Sequence, residues 1–175
     1  FFGPTRRILV TGENGRVLYA DTPERFDPGV LDVATGDWLE AVAGSPTLAV
    51  AAGDNGCVYT TANGVHWKRQ STGFTNWLRG VAYGDGVFVV VGTTGRIARS
   101  TNGIAWSKIS SGTTQHLHRV AYAGDRFHAV GNAGVSLVSL NLGLSWQPDS
   151  IGATNPLEYA VSSTSNRLAV GVHEV

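Results

Sequence analysis

Among the five histidines of the chain, His116, His118 and His128 are the group whose type and spacing suit a metal. If Leu117 to Ala121 pairs with Arg126 to Val130 through Ala123-Gly124-Asp125, all three project from one face of a hairpin. Imidazoles grouped in this way hold zinc or copper. No carboxylate or cysteine joins them as a further ligand, and the same positions of a similar upstream segment hold Trp77, Arg79 and Val89. These histidines therefore read as polar substitutions on a repeated scaffold, with no metal and no cofactor expected.

A second set has the character of a recognition surface. Trp38, Trp77 and His116 each stand just before a leucine, while Glu40, Arg79, His118 and Glu158 each stand just after one. Aromatic rings supply contact area at little rotamer cost, and an arginine adds directional donors for a carboxylate or carbonyl. Polar and aromatic residues that vary at one edge of a constant core are the pattern of a binding site. The competing structural account is that Trp38 and Trp77 only pack between neighbouring units. Catalytic carboxylates are harder to find. Asp32, Asp37, Asp54, Asp85 and Asp125 are available, but the last three sit in turns, where aspartate is expected on structural grounds. No phosphate-binding glycine motif occurs in a strand-to-helix setting.

These residues sit in a chain of 175 residues, enough for a single domain with a real core. Thirteen basic and thirteen acidic residues give no net charge, and only 15% of residues are charged. That excludes an electrostatic nucleic-acid binder, which needs a clustered positive excess. Hydrophobic residues at 42% exclude a disordered chain. No apolar run approaches the roughly 20 residues of a membrane helix. The one cysteine, Cys57, has no partner for a disulfide and reads as a small core residue. With no methionine and a start at Phe1-Phe2-Gly3-Pro4, the chain reads as a processed form or an excised part of a longer protein.

An internal period of about 40 residues organises everything else. Gly12, Gly53, Gly92, Gly131 and Gly171 each follow a short apolar run, at spacings of 41, 39, 39 and 40. Leu39, Leu78, Leu117 and Leu157 mark a second register, and Trp67, Trp106 and Trp146 a third. The repeats run over 8–47, 48–86, 87–125 and 126–165, with a terminal strand in 166–175. Each reads as four short strands, in the best case Leu78 to Tyr83, Val87 to Gly92, Arg96 to Ser100 and Ile104 to Ile109. Gly84-Asp85-Gly86, Thr93-Thr94-Gly95 and Asn102-Gly103 punctuate them at hairpin length. A repeated four-stranded antiparallel unit of this length predicts an all-β fold, a β-propeller of about four blades in one domain or a fragment of one. The chain opens on a second strand and closes on another. The ring is thus either small, with the termini sharing a blade, or an arc completed by missing blades or a second chain.

Ser139-Leu140-Asn141-Leu142-Gly143-Leu144-Ser145-Trp146 resembles the Asp-box of sialidase-like propellers, with Asn141 in place of the aspartate. Thr61-Ala62-Asn63-Gly64-Val65-His66-Trp67 and Ser100-Thr101-Asn102-Gly103-Ile104-Ala105-Trp106 are similar and one residue shorter. The resemblance implies structural roles for Asn63, Gly64 and Trp67, for Asn102, Gly103 and Trp106, and for Asn141, Gly143 and Trp146. An asparagine side chain bonds the hairpin backbone, glycine takes a positive φ and tryptophan fills the space between blades. In the first unit, Asp21-Thr22-Pro23-Glu24-Arg25-Phe26 departs from the box.

Sialidases also carry a Phe-Arg-Ile-Pro motif, and Arg6-Arg7-Ile8-Leu9 lacks both flanking residues of it. The resemblance thus favours non-catalytic members, similar to photosystem II assembly factors and to bacterial or phage surface propellers. What it implies is a binding or scaffold module, extracellular, cell-surface or periplasmic, with a protein or glycan partner on the channel face. The alternative is a fragment of a sialidase- or xyloglucanase-like hydrolase whose catalytic residues lie outside the chain.

Overall fold

The computed structural model describes residues 7–149, 155–162 and 167–171. Within them the chain runs through β1 (Ile8–Thr11), β2 (Val17–Thr22), β3 (Arg25–Pro28), β4 (Val30–Leu31), β5 (Leu39–Gly44), β6 (Ala49–Gly53), β7 (Cys57–Thr61) and β8 (His66–Ser71). It continues through β9 (Leu78–Gly84), β10 (Val87–Gly92), β11 (Arg96–Ser100), β12 (Ser107–Ile109), β13 (Leu117–Ala123), β14 (Arg126–Gly131), β15 (Ser136–Ser139), β16 (Gln147–Pro148), β17 (Leu157–Ser162) and β18 (Arg167–Gly171). The described fold is all-β, with helical geometry confined to single turns at Glu13–Gly15, Asp54–Gly56, Thr93–Gly95 and Asn132–Gly134.

Strands β5 to β8, β9 to β12 and β13 to β16 are antiparallel meanders, three successive four-stranded blades. The runs that form them are rich in β-branched and aromatic residues, with Asp-Gly and Asn-Gly steps at the reversals. Described residues give the first blade three strands, β1 to β3, and the last one two, β17 and β18. Leading strands β5, β9, β13 and β17 pack side by side in sequence. Leu39, Leu78, Leu117 and Leu157 on them are buried. The sheets therefore radiate from a common inner row, as blades of a small, incomplete β-propeller. Between the blades lie apolar layers such as Val89, Val91, Val120, Phe127 and Ala129.

Two local departures from the expected strands have clear causes. Strand β12 begins at Ser107 rather than Ile104, because residues 102–106 are committed to a turn that bonds its own backbone. After β3, the chain crosses to the next blade instead of staying antiparallel, and β4 pairs in parallel with β8, Val30 opposite His66 and Leu31 opposite Trp67. Gly29 makes the crossing: a Cβ there would lie 3.2 Å from Trp67 Nε1 and 2.9 Å from Val17.

Candidate functional site

One irregularity recurs in every leading strand. Leu39 pairs with Gly53 but Ala41 with Ala52, and the same slip occurs at Leu78 with Gly80, Leu117 with Arg119 and Leu157 with Tyr159. Glu40, Arg79, His118 and Glu158 are thus each the extra residue of a β-bulge, a device that re-aims a side chain and sharpens the local twist. The side chain of Glu158 lies outside the described residues.

The bulge brings the residue before each leucine hard against the partner strand. A Cβ on Gly53 would lie 1.8 Å from the Trp38 carbonyl oxygen, and on Gly92 and Gly131 it would lie 2.0 and 1.9 Å from those of Trp77 and His116. Those carbonyls accept from the N–H groups of Asp54, Thr93 and Asn132 at 2.9 Å. With their backbone fixed in this way, Trp38 and Trp77 project outward, 50% and 47% exposed. The glycine register is therefore a closeness requirement imposed by the bulge.

Around Arg79 the geometry is specific. One Nη1 hydrogen reaches His118 Nδ1 at 3.2 Å, and the guanidinium carbon lies 5.5 Å from the Trp77 ring centroid, within cation–π range. Because an arginine only donates, His118 Nδ1 is placed as the acceptor, and the Nε2–H tautomer that this requires donates to Asn132 Oδ1 at 2.6 Å. Arg119 Nη1 donates to the backbone oxygens of Arg79 and His118 at 2.8 and 2.9 Å. Arg79 Nε is buried without a hydrogen-bond partner. Among the described residues Arg79 forms no ion pair.

The structure thus joins Trp77, Arg79 and His118 into one cluster. His116 stands apart, its Nδ1 accepting from the Thr94 N–H at 2.9 Å. Trp38 and Glu40 occupy the matching positions one blade earlier and share no hydrogen bond with the cluster. Asn132 and Arg119, which complete the cluster, escaped the sequence reading. The clue to Asn132 lies in the repeated Gly-x-x-Gly turn that places it beside the bulge.

The proposed one-face grouping of His116, His118 and His128 does not form. His128 pairs with Ala121 and its Nδ1 lies 3.4 Å from Asp149 Oδ2, whereas the bulge turns His118 toward Arg79. No group of three potential metal ligands occurs among the described residues.

The turns between third and fourth strands hold themselves with side chains. Asn63 Oδ1 accepts the N–H groups of Val65 and His66 at 2.9 Å, and Asn102 Oδ1 accepts those of Ile104 and Ala105 at 2.9 Å. Trp67 and Trp106 donate to the oxygens of Gly64 and Gly103 at 3.1 and 3.0 Å. In the longer turn, Asn141 Oδ1 accepts only the Ser145 N–H of these positions, and Trp146 Nε1 is buried without a partner. The inserted residue of this turn, Leu142, takes a positive φ of 56°. Cys57 is buried, and burial first, with nearby Asp37 second, pushes its thiol up to about 11. It is neither a nucleophile nor a thiolate ligand at neutral pH.

The sequence matches no protein-family profile and none of the curated proteins compared with it. Its fold is similar to that of YCF48 from Cyanidioschyzon merolae, with a TM-score of 0.63 at 19% identity, over 90% of this chain and 57% of that one. The chain therefore shares a β-propeller fold with that protein while spanning little more than half its length.

Proposed function

We propose that this chain is a non-catalytic binding or scaffold module that recognises a partner through the face bearing Trp38, Trp77, Arg79 and His116. The observation that carries the reading is a pair of half-exposed tryptophans at equivalent positions of adjacent blades. Both stand on backbone held by a bulge and its glycine. Large aromatic groups displayed on rigid strands are the usual anchors of an interface. Glu40, His118 and Glu158 belong to the same repeated position and would shape the rim of that surface. The likeness of Asn63, Asn102 and Asn141 turns to Asp-box propellers, and the sequence resemblance to photosystem II assembly factors, support a scaffold rather than an enzyme.

In this reading the chain works in one propeller domain, its ring completed by further blades or a second chain. Its setting is extracellular, cell-surface or periplasmic, and its partner a protein or glycan. The test is a glycan array together with a display selection for protein ligands, run on the wild-type chain and on Trp77→Ala. Ligands retained by the wild type and lost by the variant are the expected result. Equal retention by both would move the site off this face, and hydrolysis of a chromogenic sialoside or β-glucan would replace the reading with the enzyme class.

A further inference from the structure

Arg79 is a half-buried cation with no anion to balance it among the described residues. Its Nε is enclosed and makes no hydrogen bond, and among the described residues it forms no ion pair. The groups that do touch it keep the charge in place without compensating it. His118 presents Nδ1 as an acceptor, its ring held through Asn132, and Trp77 presents its π face. Taking a cation partly out of water without an anion is costly. Arg79 Nη2 makes no bond to the described residues and is not among the enclosed polar atoms, so the guanidinium keeps donors open to solvent.

We propose that the Arg79 guanidinium is a receptor for the carboxylate of an acidic side chain in a protein partner, with a neighbouring apolar residue of that partner laid on Trp77. The inference rests on the binding-face reading above and names the chemistry it selects. Charge-assisted bonds from arginine to carboxylate are directional and roughly twice as strong as neutral ones. They are stronger still where water is partly excluded.

The geometry separates a peptide from an acidic sugar. Arg79 lies over the Trp77 ring and occupies one face of the indole. A pyranose stacked on the other face has the indole between itself and the guanidinium, and a carboxylate attached directly to its ring has no stem with which to reach round. Glutamate or aspartate carries its carboxylate on a flexible stem, so the neighbouring residue can cover Trp77 while the carboxylate turns in to Arg79.

The test is a random heptapeptide display library panned against the intact chain, the eluted peptides then measured against wild type, Arg79→Gln, Arg79→Lys and Trp77→Ala. Thermal melts of each variant establish that it is folded. Selected peptides should carry Asp or Glu beside an aliphatic or aromatic residue, and Arg79→Gln should weaken them roughly tenfold or more. Arg79→Lys should recover part of that loss, because it keeps the charge and loses the fork. Replacing the peptide glutamate with glutamine should weaken wild type and leave Arg79→Gln little changed.

Selected peptides without acidic residues, no selection at all, or equal binding to Arg79→Gln would overturn the carboxylate inference. If those same peptides still lose binding with Trp77→Ala, the binding-face reading survives that failure; if they do not, both fall. An oligogalacturonate bound by wild type and lost with Arg79→Gln, while the acidic peptides fail, would overturn the peptide assignment in favour of an acidic glycan.

Discussion

Gly53→Ala is the sharpest probe of the bulge. At φ −167° the backbone of Gly53 is extended and open to alanine, so any cost is steric. The new Cβ would lie 1.8 Å from the Trp38 carbonyl oxygen, where real contacts stay beyond about 3 Å, so backbone must yield by more than an ångström. That oxygen accepts the Asp54 N–H at 2.9 Å. Overpacking costs roughly 1 to 3 kcal/mol, and a weakened buried hydrogen bond about 1 to 3 more, for a total of about 2 to 5 kcal/mol. In a chain of this size that lowers the thermal midpoint by roughly 4 to 20 °C.

Gly12→Ala supplies the control. Gly12 holds the same place in the repeat, yet a Cβ there meets nothing within 4 Å among the described residues. Differential scanning calorimetry should therefore separate the two variants clearly. If both melt within about 2 °C of wild type, less than the shift from 1 kcal/mol, the glycine register does not reflect close approach and the bulge argument is wrong.

Trp67, only 1% exposed and bonded to Gly64 O, should cost roughly 3 to 5 kcal/mol when changed to alanine, read from urea unfolding; a loss under about 1 kcal/mol would contradict its place between blades. Asn102→Ala should cost about 1 to 3 kcal/mol, because two backbone N–H groups lose their acceptor, whereas Asn102→Asp keeps both bonds and should stay within about 1 kcal/mol of wild type. With its thiol pushed up to about 11, Cys57 should resist a thiol reagent at pH 8 in the folded chain and react promptly in denaturant. Raising the pH alone should increase its reactivity steadily up to about that value and no further, because the thiolate fraction grows below the pKa and saturates above it; fast labelling at pH 8 in the native state would show the site to be open.

Local chemistry wrote much of this fold into the sequence. Short apolar runs cut by Asp-Gly and Asn-Gly, repeated with glycine, leucine and tryptophan in fixed phase, dictate β-hairpins and repeated blades without knowledge of any distant contact. The positions of Trp38, Trp77 and His116 just before the repeated leucine, and of Arg79 just after it, are legible for the same reason. Pairing decided the rest. A bulge is a relation between two strands, so nothing in β13 alone marks His118 as its extra residue, and with Ala121 opposite His128 strict alternation already sets His118 on the other face. Arg79 meets His118 only because β9 and β13 lie side by side across about one repeat length of chain. The Val30 to Leu31 crossover is likewise tertiary, since a parallel partner on the next blade leaves no mark in its own two residues. Sequence set which side chains stand at the strand ends, and packing set where they point, because direction there depends on hydrogen bonds to residues far away in the chain.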